Sequence, residues 1–212
     1  MQKVFPAILT KDPEVLKKDL ALFKDQARWI HIDIMDGIFV PNTSVSIFEL
    51  GTAYEYFNLE FHLMVKDPAK YFEDCKEAGA KRVVLHAESA GGLSQTIEKA
   101  KAYPFQVGIA LNPETRAQDI LPYAKSIVSV LIMGIHPGFQ GREFLASTFE
   151  KIQEIKKNAP NLLVGADGGV GKDNIKELFV AGAEYVAVGS NVVQQQDPLQ
   201  AFRELEEMVQ SY

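Results

Sequence analysis

Two histidines and two aspartates concentrate the chemistry this sequence can perform. His31 and Asp33 lie two apart in the apolar run 29–34. On a strand both point to one face, while Ile30, Ile32 and Ile34 take the other. A buried face spent on polar groups needs a reason, because each unpaired group costs roughly 2–7 kcal/mol. A metal ion, or a substrate held by a carboxylate, would supply that reason; a satisfied core histidine beside a helix-capping aspartate is the alternative. His62, His86 and Asp167 also fall toward the ends of short apolar runs. Imidazole and carboxylate ligands suit a divalent transition metal such as Zn, Mn, Fe or Co. Taken singly, His62 reads equally as a core histidine and Asp167 as a turn residue before Gly168-Gly169.

Glycine marks a second gathering. Gly168 and Gly169 follow one predicted strand, and Gly189 and Ser190 follow the next. Backbone N–H groups at such positions can cradle a phosphate, and glycine lets the chain approach it closely. Glycines also serve ordinary turns. The stretch from Met133 to Gly141, with Pro137, Gly138 and Phe139 inside it, is either a shaped loop able to close over a ligand or a plain connector. Met35, Met64 and Met133 sit beside the polar residues, where a soft thioether could line a pocket or simply fill core.

The elements that must position these groups alternate between strand and helix. Strands are expected at 4–9, 29–33, 59–65, 82–87, 105–111, 126–133, 162–167 and 185–189. Helices are expected at 47–57, 92–102, 113–124, 144–158, 173–181 and 197–210. Two further helices open at Asp12-Pro13-Glu14 and Asp67-Pro68, where a cap, an early proline and (after Asp12) an early acid coincide; the second runs to Ala78-Gly79. The strands are mostly continuous apolar runs, as expected when both faces are buried. Regular βα alternation implies a parallel sheet with right-handed crossovers. Eight units suggest one closed (β/α)8 TIM barrel over 1–212, with outer helices. An open doubly wound sheet is the alternative, weakened because no GxGxxG follows the first strand. In a barrel, the polar residues above would share the C-terminal mouth, and the loops after strands seven and eight would form the phosphate cradle.

The 212 residues are 47% apolar, enough for a full core, and the net charge of −6 excludes a basic nucleic-acid surface or a polybasic membrane patch. No apolar run is long enough to span a membrane, and no signal peptide is visible. The single cysteine, Cys75, falls in a helical apolar pattern and reads as core. It permits no internal disulfide, which fits a cytoplasmic location. A homo-oligomer is expected.

Together these motifs resemble the ribulose-phosphate 3-epimerase family from Pro6 to about Ser190. The resembling stretches are Pro6-Ala-Ile-Leu9, the block from His31 to Asn42, His62-Leu-Met-Val65, His86-Ala-Glu88, Ala110-Leu-Asn-Pro-Glu-Thr115, Pro137-Gly-Phe139 and Asp167-Gly-Gly169. The resemblance implies a (β/α)8 barrel and one divalent metal ion (Zn, Fe, Mn or Co) held by His31, Asp33, His62 and Asp167. It implies that Asp33 and Asp167 also act as an acid/base pair, inverting C3 of a phosphorylated ketose through a cis-enediolate. Met35, Met64 and Met133 match pocket methionines. Gly168, Gly169, Gly189 and Ser190 would hold the phosphate, with Gly138 and Gly141 in the facing loop.

The chain departs from the family pattern at several substrate-facing positions. Ala7 stands where serine is usual, Ser44-Val45 where Phe-Gly follows threonine, Gln140-Gly141-Arg142 where Gly-Gly-Gln is common, and Gly134 where serine or threonine is common. Arg142 is either a cation for the phosphate or a solvated side chain. The leading expectation is epimerisation of D-ribulose 5-phosphate. The alternatives are the same chemistry on another ketose phosphate, such as a 2-ketohexose 6-phosphate, or a non-catalytic phosphosugar-binding barrel. The decarboxylase array Asp-x-Lys-x-x-Asp is absent: Glu60-Phe-His62 stands on the third strand, with no such lysine.

Overall fold

The computed structural model describes residues 2–89, 91–139 and 141–212; Gln140 lies outside them. Eight strands run in sequence order and close on one another in parallel: β1 (Val4–Ile8), β2 (Trp29–Met35), β3 (Asn58–Met64), β4 (Ala80–His86), β5 (Gln106–Leu111), β6 (Ser129–Met133), β7 (Leu163–Asp167) and β8 (Tyr185–Val188). Around them lie α1 (Pro13–Phe23), α2 (Phe72–Glu77), α3 (Leu93–Ala100), α4 (Ser147–Asn158), α5 (Ile175–Ala181), α6 (Ser190–Val193) and α7 (Pro198–Val209). This is the (β/α)8 TIM barrel expected from the alternation.

The capping signal at Asp12 acts where it stands, whereas Asp67 makes no side-chain cap. Asp12 accepts a hydrogen bond from the Glu14 N–H at 2.9 Å, and Asp197 from that of Gln200 at 2.9 Å. α5 ends at Gly182, whose φ of 113° only glycine adopts freely. Three expected helices differ. Residues 47–57 form two 3-10 turns, Ile47–Leu50 and Ala53–Glu55, split at Gly51 with its positive φ. The segment after Asp67 starts as a 3-10 turn, Pro68–Tyr71, before α2. Residues 113–124 reduce to the 3-10 stretch Ala117–Tyr123, in which Pro122 has no N–H to donate. The short helix α6 has no counterpart among the expected elements.

The strands' two faces make two cores. Ile30, Ile32 and Ile34 pack outward with the helices' apolar faces, in a cluster that also holds the buried Cys75. Phe5, Val84, Ala110, Leu131, Met133 and Tyr185 form a separate buried cluster. Here Phe5 stacks between Trp29 (5.3 Å between centroids) and Tyr185 (4.8 Å). The Arg82 guanidinium lies 4.9 Å from the Trp29 ring and 4.5 Å from that of Tyr185, a cation–π setting for a buried charge. Phe5, Trp29, Arg82 and Tyr185 plug the N-terminal half of the barrel, and Met133 borders the cavity above.

Tyr185 fits only because its β7 neighbour is Gly165: a Cβ there would sit 2.5 and 2.8 Å from two Tyr185 ring carbons. Gly165→Ala is therefore expected to destabilise the fold by about 1–3 kcal/mol through overpacking. Urea unfolding measures this; an unchanged midpoint would show that the plug has slack.

Candidate active site

The two-residue period of β2 turns His31, Asp33 and Met35 inward. Strand register then brings the rest. Asp33 pairs across to His62, Met35 to Met64, and Met133 to Asp167. One ligand atom from each of His31, Asp33, His62 and Asp167 lies within 4.8 Å of the other three. His31 Nε2 and His62 Nδ1 are 3.3 Å apart, and Asp33 Oδ1 lies 3.3 Å from the first and 3.2 Å from the second. Asp167 Oδ2 lies 3.4 Å from His62 Nδ1. Both imidazoles are fully buried and the aspartates nearly so.

Two further charged residues complete the group, and the sequence reading finds neither. Glu60 and Arg82 are buried and form an ion pair. Glu60 Oε1 also lies 2.6 Å from His31 Nδ1. An ionised carboxylate only accepts, so His31 Nδ1 carries a proton, and Nε2 is the nitrogen that faces the aspartates and would offer its lone pair to a metal ion that displaces its own proton. Burial opposes the charge on Glu60, but Arg82 and His31 outweigh it and bring its pKa down to about 2. Burial opposes charge on His31 too, yet Asp33 and Glu60 raise its pKa well above the ordinary histidine value. Asp33 is likewise held well below the usual range, against burial, by His31 and His62. The spacing rule that finds His31 and Asp33 also applies to Glu60-x-His62 and Arg82-x-Val84-x-His86, so a signal for the missed pair is present.

The donor set fits a divalent cation. With a dication bound and both imidazoles neutral, the carboxylates of Asp33, Asp167 and Glu60 would stand against the one guanidinium of Arg82. Two nitrogens and two carboxylate oxygens face one point, and a dication would balance the excess.

Above this cluster lies a cavity lined by Asp33, Asp167, Met35, Met64, Met133, Gly138, Gly141, Gly168, Gly169, Gly189 and Ser190, with Leu9, Pro137 and Phe139 among the others. The methionines are both pocket and core: all three are buried and line the cavity. Ala7 is buried in the barrel wall, paired in register with His31, and is not among the described lining residues. Gly168 and Gly169 have φ of 92° and 67°. Asn174 and Asn191, unforeseen in the sequence, brace this turn: Asn174 Nδ2 donates to Gly169 O at 2.9 Å and Asn191 Nδ2 to Val170 O at 2.7 Å. Gly134 has a local explanation. A Cβ there would lie 2.7 Å from the Phe144 ring and closer still to the Gly168 carbonyl. Asp36 shapes the turn after β2, accepting from the N–H groups of Ile38, Phe39 and Lys66. Asn42 ties that turn to the loop after β6 by donating to Gly138 O at 2.8 Å. Arg142 lies over the Phe139 ring, 5.4 Å from its centroid.

A closed parallel barrel with buried His and Asp groups under a glycine-lined cavity defines an enzyme-like class of (β/α)8 protein. The model of the "Ribulose-phosphate 3 epimerase family" matches residues 3–193. A Bacillus subtilis protein named ribulose-phosphate 3-epimerase is 36% identical, over 97% of this chain and 98% of that one. The Oryza sativa ribulose-phosphate 3-epimerase, cytoplasmic isoform, is 30% identical over 98% of this chain and 94% of its own. The chain belongs to the ribulose-phosphate 3-epimerase family and is an enzyme of the epimerase class. The fold alone is shared with 3-hexulose-6-phosphate synthase from Salmonella typhimurium (TM-score 0.79, 14% identity, 99% of each chain). It is shared also with KGPDC from Streptococcus mutans (TM-score 0.81, 10% identity, 99% of this chain and 98% of that one). Among the described residues no helix is long and apolar enough to cross a membrane.

Because Glu60 has its pKa lowered from 4.5 to about 2, its stabilising contribution is complete above pH 4.5 and is lost as pH falls toward 2. Glu60→Gln leaves Arg82 buried and unpaired, and is expected to cost about 3–5 kcal/mol at neutral pH. The variant should also lose less stability than wild type between those two pH values. Urea titrations of chelator-treated protein across the acid range check both; equal acid sensitivity would show that Glu60 is not ionised in the native state.

Proposed function

We propose that this enzyme inverts C3 of D-ribulose 5-phosphate to give D-xylulose 5-phosphate, with Asp33 and Asp167 as the acid/base pair. The observation that carries the reading is the placement of two buried carboxylates on β2 and β7, separated by β1 and β8, at the floor of one cavity. The C3 hydrogen is acidic because it lies next to the C2 carbonyl. One aspartate removes it, leaving an enediolate. The other, protonated, delivers a proton to the opposite face, so C3 is inverted and the two aspartates have exchanged protonation states. Solvent resets them.

His31, Asp33, His62 and Asp167 would hold one divalent metal ion, which when bound supplies Lewis-acid stabilisation of the charge developing on the substrate oxygens. The chain's own contributions are orientation and exclusion of water. Met35, Met64 and Met133 give the reacting carbons an apolar, polarizable wall. Gly168, Gly169, Gly189 and Ser190 take the phosphate, with Gly138 and Gly141 facing it from the loop after β6. Ala7 lies next to His31 beneath the substrate. The named Oryza sativa isoform supports a cytoplasmic location.

Incubation with D-ribulose 5-phosphate in D2O, followed by NMR, tests the reading: deuterium should enter C3 of both sugars. Binding without exchange would make this a phosphosugar-binding barrel. A parallel panel with a 2-ketohexose 6-phosphate should show preference for the pentulose. Asp167→Asn should keep the fold by circular dichroism and lose at least about 10²-fold in kcat, the usual scale for a general acid–base group; near-normal turnover would overturn the assignment.

A further inference from the structure

The His86-Ala-Glu88 motif lies outside the four-residue cluster, yet it is wired to it. His86 and His62 are both fully buried, and their Nε2 atoms face each other at 2.9 Å. The ring planes lie 21° apart and the centroids 4.9 Å apart, so the rings run near-parallel with their Nε2 atoms at hydrogen-bond distance. His86 Nδ1 lies 3.1 Å from Glu88 Oε2. Glu88 Oε1 is already engaged: it accepts from the Asn112 N–H at 3.0 Å and from the Thr115 hydroxyl. Lys151 fixes that loop by donating to the carbonyls of Asn112 and Pro113 at 2.8 and 2.9 Å.

The polarity of this chain is determined from its outer end. A carboxylate only accepts, so His86 Nδ1 donates to Glu88. The neutral His86 ring then presents an accepting Nε2. His62 Nε2 must therefore carry the proton, which leaves the lone pair of His62 on Nδ1, the nitrogen that faces Asp33 and Asp167. We propose that His86 and Glu88 are positioning residues that fix the tautomer of His62 and thereby set the affinity of the cluster for its metal ion. The inference rests on the metal reading of that cluster. It pairs with the other histidine, whose Nδ1 proton is held by Glu60: each imidazole has its outer nitrogen committed and its inner one turned to the aspartates.

A reversed order of substitutions tests it. In Glu88→Gln the side-chain oxygen must stay with the Asn112 N–H, so the amide N–H group turns to His86. His86 must then accept at Nδ1 and carry its proton on Nε2, which forces the His62 proton onto Nδ1. Glu88→Ala removes the constraint without inverting it. Zinc affinity, by chelator competition, should fall roughly 10–100-fold in Glu88→Gln and by less in Glu88→Ala. A merely structural role predicts the opposite order, because glutamine keeps the shape. Long-range 1H–15N NMR of the zinc-loaded wild type should place the His86 proton on Nδ1 and the His62 proton on Nε2. A His86 proton on Nε2, or an alanine variant as weak as the glutamine one, overturns the relay. Thermal unfolding of the metal-free variants separates loss of fold from loss of affinity. Wild type that takes up no zinc would overturn the metal reading itself, and the role of the relay with it.

Discussion

Water does not reach His31 or His62, so every polar atom on their rings must find its partner in protein or in a bound ion. That constraint organises the barrel's interior. Apolar residues occupy most of the other inward positions, and the charged ones described there, Glu60 and Arg82 with the histidines and aspartates, form a connected set. Burying a carboxylate alone would cost several kcal/mol, but one that receives an imidazole N–H and a guanidinium is stable in its charged form. The Glu60–Arg82 pair is thus a consequence of placing His31 inside, and the aromatic rings around Arg82 are a consequence of placing Arg82 there. A requirement at the mouth propagates strand by strand down to the base.

The same logic explains why the loops carry so much hydrogen bonding. The turns after β6 and β7 line the cavity and the turn after β2 is tied to the first of them, and side chains fix all three. Asp36 gathers three backbone N–H groups, Asn42 crosses to Gly138, and Asn174 and Asn191 hold the turn at Gly169–Val170. A rigid turn with positive φ at Gly168 and Gly169 keeps its shape before a ligand arrives, which lowers the ordering cost of binding.

Much of this is legible in the sequence, for physical reasons. Alternation of apolar runs with capped helical stretches gives the barrel, and a spacing of two on a strand puts His31 and Asp33 on one face. His62 and Asp167 follow because active-site residues collect where barrel strands end. Glu60 and Arg82 are harder to read, because a charged residue near the start of a strand looks like solvated rim until the barrel's closure shows that it is enclosed. The helix at 47–57 fails because apolar periodicity does not distinguish an α-helix from successive 3-10 turns, and Gly51 decides between them. Ala7 can be placed on its strand but not relative to the cavity, since the depth of a wall residue depends on strand tilt. Gly134, a bare departure from the family pattern in the sequence, has a steric cause in Phe144 and the Gly168 carbonyl.

The plug of Phe5, Trp29, Arg82 and Tyr185 has a consequence for traffic. A vessel stoppered at its base is entered from the rim. Asp33 and Asp167 form the floor of the cavity, with His31 and His62 buried beside them. A metal ion held there as proposed would lie under the space the sugar would fill, so a sugar, once seated, would stand between the ion and the rim.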